Sequence, residues 1–274
     1  MELTVETFTR FRDLIYEKTG IYYPENKKYV LDSRLLSRLA ERNCSTYEEY
    51  LSLLKTDAWR DRELPALFNV VTTNETYFFR DQPQLQAFSD LILPAVLKEN
   101  QAMKRVRIWS AACSTGDEPY TLAIMLLEKN AEWAGWSAEI AASDISEATL
   151  ASARRGAYGT YAMRQVPPSL ASRYFTPEDG QQVVKPEVKR LVRFANVNLF
   201  DAARVKLMKG MDVIFCRNCL IYFDDKAKKR VVDAFYDCLN PRGYLVIGFS
   251  ESLHNLTRAF RPVPANKTVV YQKA

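Results

Sequence analysis

Residues 108–124 read IWSAACSTGDEPYTLAI, an apolar, strand-like stretch that passes through a turn into a helix-like one. In nucleotide-binding proteins, several glycines let the backbone N–H groups of such a turn surround a phosphate. This turn has one glycine, Gly116, followed by Asp117 and Glu118, which repel a pyrophosphate. Its small side chains still let a ligand approach closely. The residues favour a ligand with hydroxyls, an ammonium or a sulfonium, and S-adenosylmethionine over a dinucleotide or ATP.

Asp144 is the second candidate, because it ends the strand-like segment AEIAASD at 138–144. An acid at the end of such a strand commonly accepts hydrogen bonds from ribose hydroxyls. Both Asp144 and Asp117 also have a structural interpretation. Asp144 could cap the helix that follows it, and Asp117 could stabilise the positive end of its own helix dipole. The sequence leaves these alternatives open.

The segment DVIFCRNCLIYF at 212–223 supplies a third set of polar residues. Its apolar run ends near Arg217 and Asn218, and Tyr222 follows. In a parallel sheet the ligand binds beyond the carboxyl ends of the strands, so these residues are candidates for the reacting centre. Tyr222 could instead be a core aromatic with a satisfied hydroxyl.

The histidine and cysteine content excludes several kinds of chemistry. The chain has one histidine, His254, so it cannot form a Ser-His-Asp triad and is poor in metal ligands. We predict no bound metal. The five scattered cysteines indicate reduced core thiols rather than a disulfide framework. Cys216 and Cys219 have the C-x-x-C spacing of a redox pair, but they follow a late strand, and we disfavour that interpretation.

The elements that must position these residues change in character along the chain. The first 70 or so residues contain helical patterns at 4–18, 27–42, 47–54 and 58–71. After Val106, apolar strand candidates alternate with helical segments, which predicts a doubly wound, Rossmann-like α/β sheet. We therefore expect an N-terminal all-α domain over 1–72 and an α/β domain over 73–274.

Two parts of the second domain depart from this alternation. Residues 174–197 contain short strand patterns around an Asp-Gly turn, and we predict a small antiparallel β insertion there. The tail KTVVYQKA follows a proline-containing turn, and we expect it to return antiparallel at the far end of the sheet.

The charge is mild and mostly interspersed. A net charge of +5 gives no reason to expect a nucleic-acid partner. Arg34, Arg38 and Arg42 recur at helical spacing beside a stripe of leucines, which indicates either a solvated helix face or a docking face for an acidic partner. Because the chain has no long apolar run and no signal-peptide pattern, we expect a cytoplasmic protein that does not insert into a membrane. We also expect a monomer.

Five segments, taken in order, resemble the CheR-type chemotaxis receptor methyltransferases. They are TTNETYFFR (72–80), WSAACSTGDEPYTLA (109–123), SDIS (143–146), NVNLFD (196–201) and FCRNCLIYFD (215–224). The resemblance spans nearly the whole chain. It implies a methyltransferase domain over 73–274 that converts S-adenosylmethionine to S-adenosylhomocysteine. The residues that it implies for cofactor contact are Asn74, Thr76, Arg80, Glu118, Asp144, Asn198, Leu199, Arg217 and Asn218.

The resemblance also implies an acceptor, namely glutamate side chains on the cytoplasmic helices of chemoreceptors, which become methyl esters. A glutamate with a pKa of ~4.3 is ionised near neutrality, so the missing catalytic base is expected. We predict that Arg80 orients a carboxylate, of the acceptor or of the cofactor, and that Tyr222 closes the pocket beside the methyl group. The arginine stripe of residues 34–42 would then dock the acidic receptor helices.

Asp117 and Cys219 depart from the family's usual glutamate and aliphatic residue. The short turn of the insertion leads us to expect receptor binding without a C-terminal receptor tether. Three other functions fit less well. A nicotinamide-dependent oxidoreductase should have more glycines in the opening turn, and a degenerate binding module should have lost strand-end polar residues. Nucleic-acid methylation is disfavoured by the mild charge and by the lack of an aromatic motif for a flipped base.

Overall fold

A computed structural model of the chain describes residues 2–129, 135–265 and 267–274. The helices are α1 (Val5–Thr19), α2 (Lys28–Glu41), α3 (Tyr47–Lys55), α4 (Asp57–Val71), α5 (Gln82–Ala87), α6 (Leu93–Glu99), α7 (Asp117–Glu128), α8 (Glu147–Arg155), α9 (Thr160–Met163), α10 (Pro168–Tyr174), α11 (Pro186–Lys189), α12 (Ala202–Lys206) and α13 (Asp225–Cys238). The strands are β1 (Arg105–Ala111), β2 (Ser137–Asp144), β3 (Ala157–Tyr158), β4 (Phe175–Glu178), β5 (Gln181–Val184), β6 (Val192–Asn196), β7 (Met211–Cys216), β8 (Leu239–Ile247), β9 (Phe260–Ala265) and β10 (Thr268–Lys273). None of the described helices has the length and apolar character needed to cross a membrane.

Helices α1 to α4 pack around an apolar core of their own. Thr4 begins α1, because its side chain accepts a hydrogen bond from the N–H of Thr7, and Gly20 ends it with a left-handed φ of 75°. A capping box of Thr46 and Glu49 begins α3. The predicted bounds of all four helices are confirmed to within one residue. Their shared core includes Phe8, Phe11, Leu31, Leu35 and Tyr50.

The remaining helices accompany a seven-stranded sheet in the order β6-β2-β1-β7-β8-β10-β9. The first five strands of this order are parallel, and Ile108 in β1 faces Ile140 on one side and Val213 on the other. From β1 the chain first adds strands on one side and then on the other. This topology confirms the predicted doubly wound sheet and creates a switch point between β1 and β7, where ligands of such sheets bind.

The antiparallel end of the sheet differs from the prediction in one respect. Strand β10 returns antiparallel to β8, as the sequence predicts, but β9 takes the outermost place. The segment expected to be a proline-containing turn is this strand, in which Pro262 and Pro264 lie opposite Tyr271 and Val269. Proline has no N–H to donate and is tolerated at an edge, where the outer side of the strand needs no partner.

The small antiparallel sheet has the order β3-β5-β4. Strands β4 and β5 join at Asp179 and Gly180, whose left-handed φ angles of 47° and 75° suit a tight hairpin turn. Within the range 174–197, which the sequence assigns to the insertion, this hairpin lies in the small sheet. Strand β6 instead pairs in parallel with β2 in the large sheet. Strand β3 also belongs to the small sheet but lies before the predicted range. The sequence does not reveal it, because two residues are too few to show an alternating pattern.

The helical region covers the carboxyl edge of the large sheet. After α1, the N–H of Tyr22 donates to the carbonyl oxygen of Tyr222 at 2.9 Å. The side chain of Asn198, which follows β6, donates to the carbonyl oxygen of Lys18 at 2.6 Å. These contacts bring the chain after α1 across the strand ends, so the space between them is bounded by both regions.

Candidate active site

An open cavity lies at the carboxyl ends of β1, β2, β6 and β7. The turns after these strands form one side, and the chain after α1 and α4, including Ile21 and Thr73, forms the other. The cavity brings together all the residues that the resemblance assigns to the cofactor, and Tyr222 with them. They are Asn74, Thr76, Arg80, Glu118, Asp144, Asn198, Leu199, Arg217 and Asn218.

The turn after β1 curls tightly beside the cavity. Ala112, Ser114 and Gly116 all have positive φ angles, of 58°, 50° and 90°. A Cβ atom on Gly116 would lie 2.9 Å from the Cβ of Ala153 in α8, so a larger residue does not fit there. The N–H of Ser114 donates to Asp144 Oδ2 at 2.8 Å, which ties this turn to the end of β2.

Asp144 is buried between these two turns. Its Oδ1 accepts a hydrogen bond from the N–H of Ser146 at 2.9 Å. The cap of α8 is Ser146, whose hydroxyl accepts from the N–H of Thr149, so Asp144 is not the helix cap. Burial raises the pKa of Asp144, and its backbone hydrogen bonds oppose that rise. The carboxylate is therefore fixed at the cavity wall, and each oxygen has a second lone pair.

Arg217 connects the polar residues of the cavity wall. Its Nη1 donates to Glu118 at 3.1 Å, and its Nη2 donates to Asp81 at 2.9 Å. Its Nε donates to Gln84 at 2.6 Å, and Nη2 also donates to the carbonyl oxygen of Arg80 at 2.7 Å. The side chain is only 4% exposed. Arg217 therefore holds Glu118 and the chain around Arg80 in place.

Arg80 and Tyr222 are half-buried residues of the same wall. Arg80 Nη1 donates to the carbonyl oxygen of Glu75 at 3.1 Å, and its guanidinium carbon lies 5.5 Å from the centre of the Tyr77 ring. Tyr222 ends the short 3-10 turn Leu220–Tyr222 that follows β7. Because Tyr222 is partly exposed at the cavity, it is not a fully buried core aromatic.

Two asparagines at the cavity differ in what their amides do. Asn198 donates to the carbonyl oxygen of Lys18 and accepts from the N–H of Phe200 at 2.9 Å, so both ends of its amide bind protein groups. Asn218 has a φ of 57°, and its Oδ1 is buried with no hydrogen-bond partner among the described residues. An unsatisfied buried acceptor costs about 1–3 kcal/mol, which a donor on a ligand would recover.

S-adenosylmethionine fits this set of residues. Its amino and hydroxyl groups are donors, and the carboxylates of Asp144 and Glu118 at the cavity are acceptors. Its carboxylate suits a guanidinium such as that of Arg80. A pyrophosphate fits poorly, because the carboxylates of Glu118 and Asp144 line the same space.

Two family models match the chain over nearly its whole length. The model of the CheR methyltransferase, SAM binding domain, matches residues 74–269, and that of the CheR methyltransferase, all-alpha domain, matches residues 6–72. The chain belongs to the CheR methyltransferase family. It is an enzyme that uses S-adenosylmethionine, which confirms the cofactor predicted from the strand-end residues.

Relatives of this CheR methyltransferase are similar over nearly the full chain. It is 37% identical over 272 residues to Chemotaxis protein methyltransferase 2 of Vibrio cholerae serotype O1, covering 99% of this chain and 94% of that protein. It is 38% identical to the Chemotaxis protein methyltransferase of Vibrio parahaemolyticus serotype O3:K6, over 97% and 94% of the two chains. With Chemotaxis protein methyltransferase 1 of Pseudomonas aeruginosa, the identity is 34% over 97% of each chain.

Asp117 of this CheR methyltransferase is fully buried and is not among the residues that line the cavity. The hydroxyl of Thr115 donates to its Oδ2 at 2.7 Å, and its Oδ1 has no partner within the described ranges. Burial raises the pKa of Asp117 to about 6. Because Asp117 is the first residue of α7, its charge lies at the positive end of the helix dipole. The structure therefore favours the structural interpretation of this acid.

The arginines of α2 make contacts inside the protein. Arg38 is 5% exposed and pairs with Glu63 of α4 at 2.7 Å, and Arg42 pairs with the same carboxylate at 2.5 Å. Arg34 donates to the hydroxyl of Thr73 at 2.6 Å. The docking role of Arg34, Arg38 and Arg42 stays a prediction, and the burial of Arg38 beside an acid of the same helical region counts against its part in that role. A pattern along one helix cannot show an acid that another helix supplies.

The C-x-x-C pair lacks the features of a redox motif. Cys216 is fully buried, and Cys219 is half-buried at the cavity. A hydrogen bond with Cys219 and burial together raise the pKa of Cys216 well above its ordinary value. Reactive pairs instead need a lowered thiol pKa, so both cysteines are structural thiols here.

Three residues that shape the site lie outside the motifs that the sequence shows. Asp81 and Gln84 hold the guanidinium of Arg217, and Glu251 accepts a hydrogen bond from the backbone N–H of Asn218. Glu251 lies in the loop after β8, so a search of the residues that follow each strand could have found it. Nothing in the local sequence marks Gln84.

Proposed function

We propose that this CheR methyltransferase transfers the methyl group of S-adenosylmethionine to glutamate side chains on the cytoplasmic helices of chemoreceptors, forming glutamate methyl esters. The relatives support this proposal, because they are named chemotaxis protein methyltransferases. The observation that carries it is the make-up of the cavity wall. Arg80 is present to bind a carboxylate, whereas the single histidine of the chain, His254, is not a lining residue.

A carboxylate acceptor accounts for a wall without a histidine base. Glutamate has an ordinary pKa of about 4.3, so it is ionised near neutrality and needs no group to remove a proton. An amine or an alcohol would need such a group. When bound, S-adenosylmethionine would supply a methyl group on a sulfonium, so that an O–CH3 bond to the carboxylate forms as the S–CH3 bond breaks and S-adenosylhomocysteine leaves. The protein then has to hold the acceptor in line, and positioning of this kind can contribute about 7–11 kcal/mol.

We infer that Arg80 pairs with a carboxylate in the cavity, of the acceptor or of the cofactor. One of its five N–H groups donates to Glu75, and its half-buried position leaves the guanidinium beside the cavity. A bidentate pair would fix the direction of the carboxylate. Tyr222 would close the pocket beside the methyl group, and its place among the lining residues supports that role.

Five of the nine proposed cofactor contacts differ in what their polar atoms bind. Asp144 and Asn218 have acceptor atoms that support direct contact with the cofactor. Asn198 and Arg217 hydrogen-bond mainly to protein groups, so we assign to them the holding of the cavity walls. Glu118 does both: it pairs with Arg217, and its carboxylate is an acceptor of fixed position at the cavity.

The test is incubation of the protein with methyl-labelled S-adenosylmethionine and a cytoplasmic receptor fragment. We expect label on the fragment that mild alkali releases as methanol, because esters are hydrolysed by base. A matched fragment with glutamine at the acceptor positions should stay unlabelled. Label that resists alkali would contradict ester formation. An unlabelled fragment, when calorimetry shows the cofactor bound, would contradict the proposed acceptor.

A further inference from the structure

The carboxylate of Glu251 lies behind the turn that carries Asn218 and Tyr222. Its Oε2 accepts a hydrogen bond from the N–H of Asn218 at 3.1 Å, and its Oε1 accepts one from the N–H of Ile221 at 3.1 Å. The N–H of Gly248, which follows β8, also donates to Oε2. Backbone donors from two strand-end turns therefore meet on one carboxylate, and Glu251 is not itself a lining residue of the cavity.

The turn after β7 has an irregular backbone that this carboxylate supports. Asn218 has a left-handed φ of 57°, and the 3-10 turn Leu220–Tyr222 starts directly afterwards without a side-chain cap from Cys219. Hydrogen bonds from N–H groups to a carboxylate are roughly twice as strong as those between neutral groups. Glu251 therefore acts on this turn as a capping side chain acts on a helix, although it comes from the loop after a different strand, β8.

Gly248 allows the two turns to approach each other. A Cβ atom at this position would lie 2.7 Å from Glu251 Oε2 and 2.8 Å from the backbone nitrogen of Asn218. Real Cβ atoms are not found at such distances, so any larger residue would push the carboxylate or the turn away. The glycine and the acid thus form one unit that sets the position of Asn218.

We propose that Glu251 is a positioning residue for methyl transfer, whose carboxylate holds the turn so that Asn218 and Tyr222 face the cofactor cavity. The inference rests on the proposed function, but its first consequence concerns cofactor binding alone. Asn218 carries the unpartnered Oδ1, and Tyr222 lies at the other end of the same turn. Loss of the carboxylate would move both residues without removing any group that touches a ligand.

The test is Glu251→Gln, which keeps the size of the side chain but places an NH2 group against a backbone N–H. We expect the dissociation constant for S-adenosylhomocysteine, measured by calorimetry without receptor, to rise about tenfold. Glu251→Asp keeps the charge and should restore part of the affinity. Glu128→Gln alters another hydrogen-bonded carboxylate, bound by Arg173 and Tyr174 away from the cavity, and should leave the constant unchanged.

A double-mutant cycle separates positioning from general destabilisation. In an Asn218→Ala background, Glu251→Gln should raise the dissociation constant by a smaller factor than in the wild-type background, because the part of its effect that acts through Asn218 is lost and only the part through Tyr222 remains. If Glu251→Gln fails to fold, Gly248→Ala takes its place in the cycle, since it disturbs the same contact and keeps the charge. An unchanged dissociation constant, or an equal effect in both backgrounds, would overturn the proposal. A wrong receptor assignment cannot produce either result, because no receptor is present.

Discussion

Arg217 and Asn218 are neighbours in the chain with different roles at the cavity. The guanidinium of Arg217 binds four protein acceptors, on Arg80, Asp81, Gln84 and Glu118. The Oδ1 of Asn218 is buried without a partner among the described residues. A match of motifs assigns both residues to the cofactor by position alone. Their hydrogen bonds show that Arg217 holds the wall together and that the side-chain oxygen of Asn218 is unpaired within the described part of the chain.

Replacing Arg80 with alanine should lower kcat/KM for receptor methylation by about 10²–10³-fold, because a carboxylate in the cavity loses its bidentate partner. The free energy of unfolding should change by no more than about 0.5 kcal/mol, since the side chain is half-buried and makes one hydrogen bond. Initial rates with labelled cofactor and a denaturant titration measure both effects. Arg80→Lys keeps the charge without the planar fork and should be intermediate. Near-normal turnover of the alanine variant would contradict the role.

Asp117 should make stability depend on pH. Burial raises its pKa from 3.8 to about 6, so the folded protein binds this proton more tightly than the unfolded chain. The resulting stabilisation is full below about pH 4 and is lost as the pH rises through about 6. Asp117→Asn should remove this loss and raise the free energy of unfolding at pH 7 by up to about 3 kcal/mol. Urea unfolding of both proteins from acid to neutral pH is the measurement, and parallel curves would argue against it.

Among the secondary-structure elements, α2 and α4 act as a pair. The carboxylate of Glu63 is fully buried and accepts hydrogen bonds from Arg38, from Arg42 and from the hydroxyl of Tyr50. Each arginine lies on α2, and the acid comes from α4. Removing one partner of this buried group leaves the other as an unpaired buried charge, which lowers the free energy of unfolding.

Arg38→Glu should therefore lower the free energy of unfolding by about 3–5 kcal/mol, since it removes one partner of Glu63 and adds a like charge. Arg154→Glu is the matched control. Arg154 pairs with Glu147 on the surface, with 44% and 53% of the two side chains exposed, so its reversal should cost at most about 1 kcal/mol. Denaturant unfolding of both variants makes the comparison. Similar losses in the two proteins would show that Arg38 is not the internal partner described above.

The elements differ in how far the sequence predicts them. Glu118, Asp144 and Arg217 follow buried strands, and the carboxyl ends of parallel strands meet at one edge, so their gathering could be predicted. The contact of Arg217 with Gln84 spans 133 residues and leaves no local pattern. The prolines of β9 look like a turn in sequence, because only the finished sheet shows that they lie at an edge.

At the scale of the whole molecule, the cofactor cavity lies between the helical region and the sheet. Residues from both regions line it, among them Thr19, Ile21 and Thr73 on one side and Asp144 on the other. A ligand that contacts both sides of the cavity stabilises the contact between the two regions as well as each region by itself.

Addition of S-adenosylhomocysteine should accordingly slow amide hydrogen exchange in 19–23 and 71–77 as well as in the turns after β1 and β2, because the cavity is lined from both sides. The edge strand β9 serves as an internal control and should exchange at the same rate with and without ligand. Mass spectrometry of peptic fragments measures this. Slowing confined to the sheet would mean that the helical region does not help to bind the cofactor.

The four acceptors around Arg217 also constrain how relatives of this enzyme can diverge. Loss of the arginine at position 217 leaves the carboxylates of Asp81 and Glu118 without their cation. Loss of either acid leaves the buried guanidinium of Arg217 with one carboxylate fewer to balance its charge. A single substitution that removes the charge at position 81, 118 or 217 should therefore destabilise the cavity wall. Positions 81, 84, 118 and 217 should therefore covary among relatives: a relative should either keep all four residues or replace several of them together.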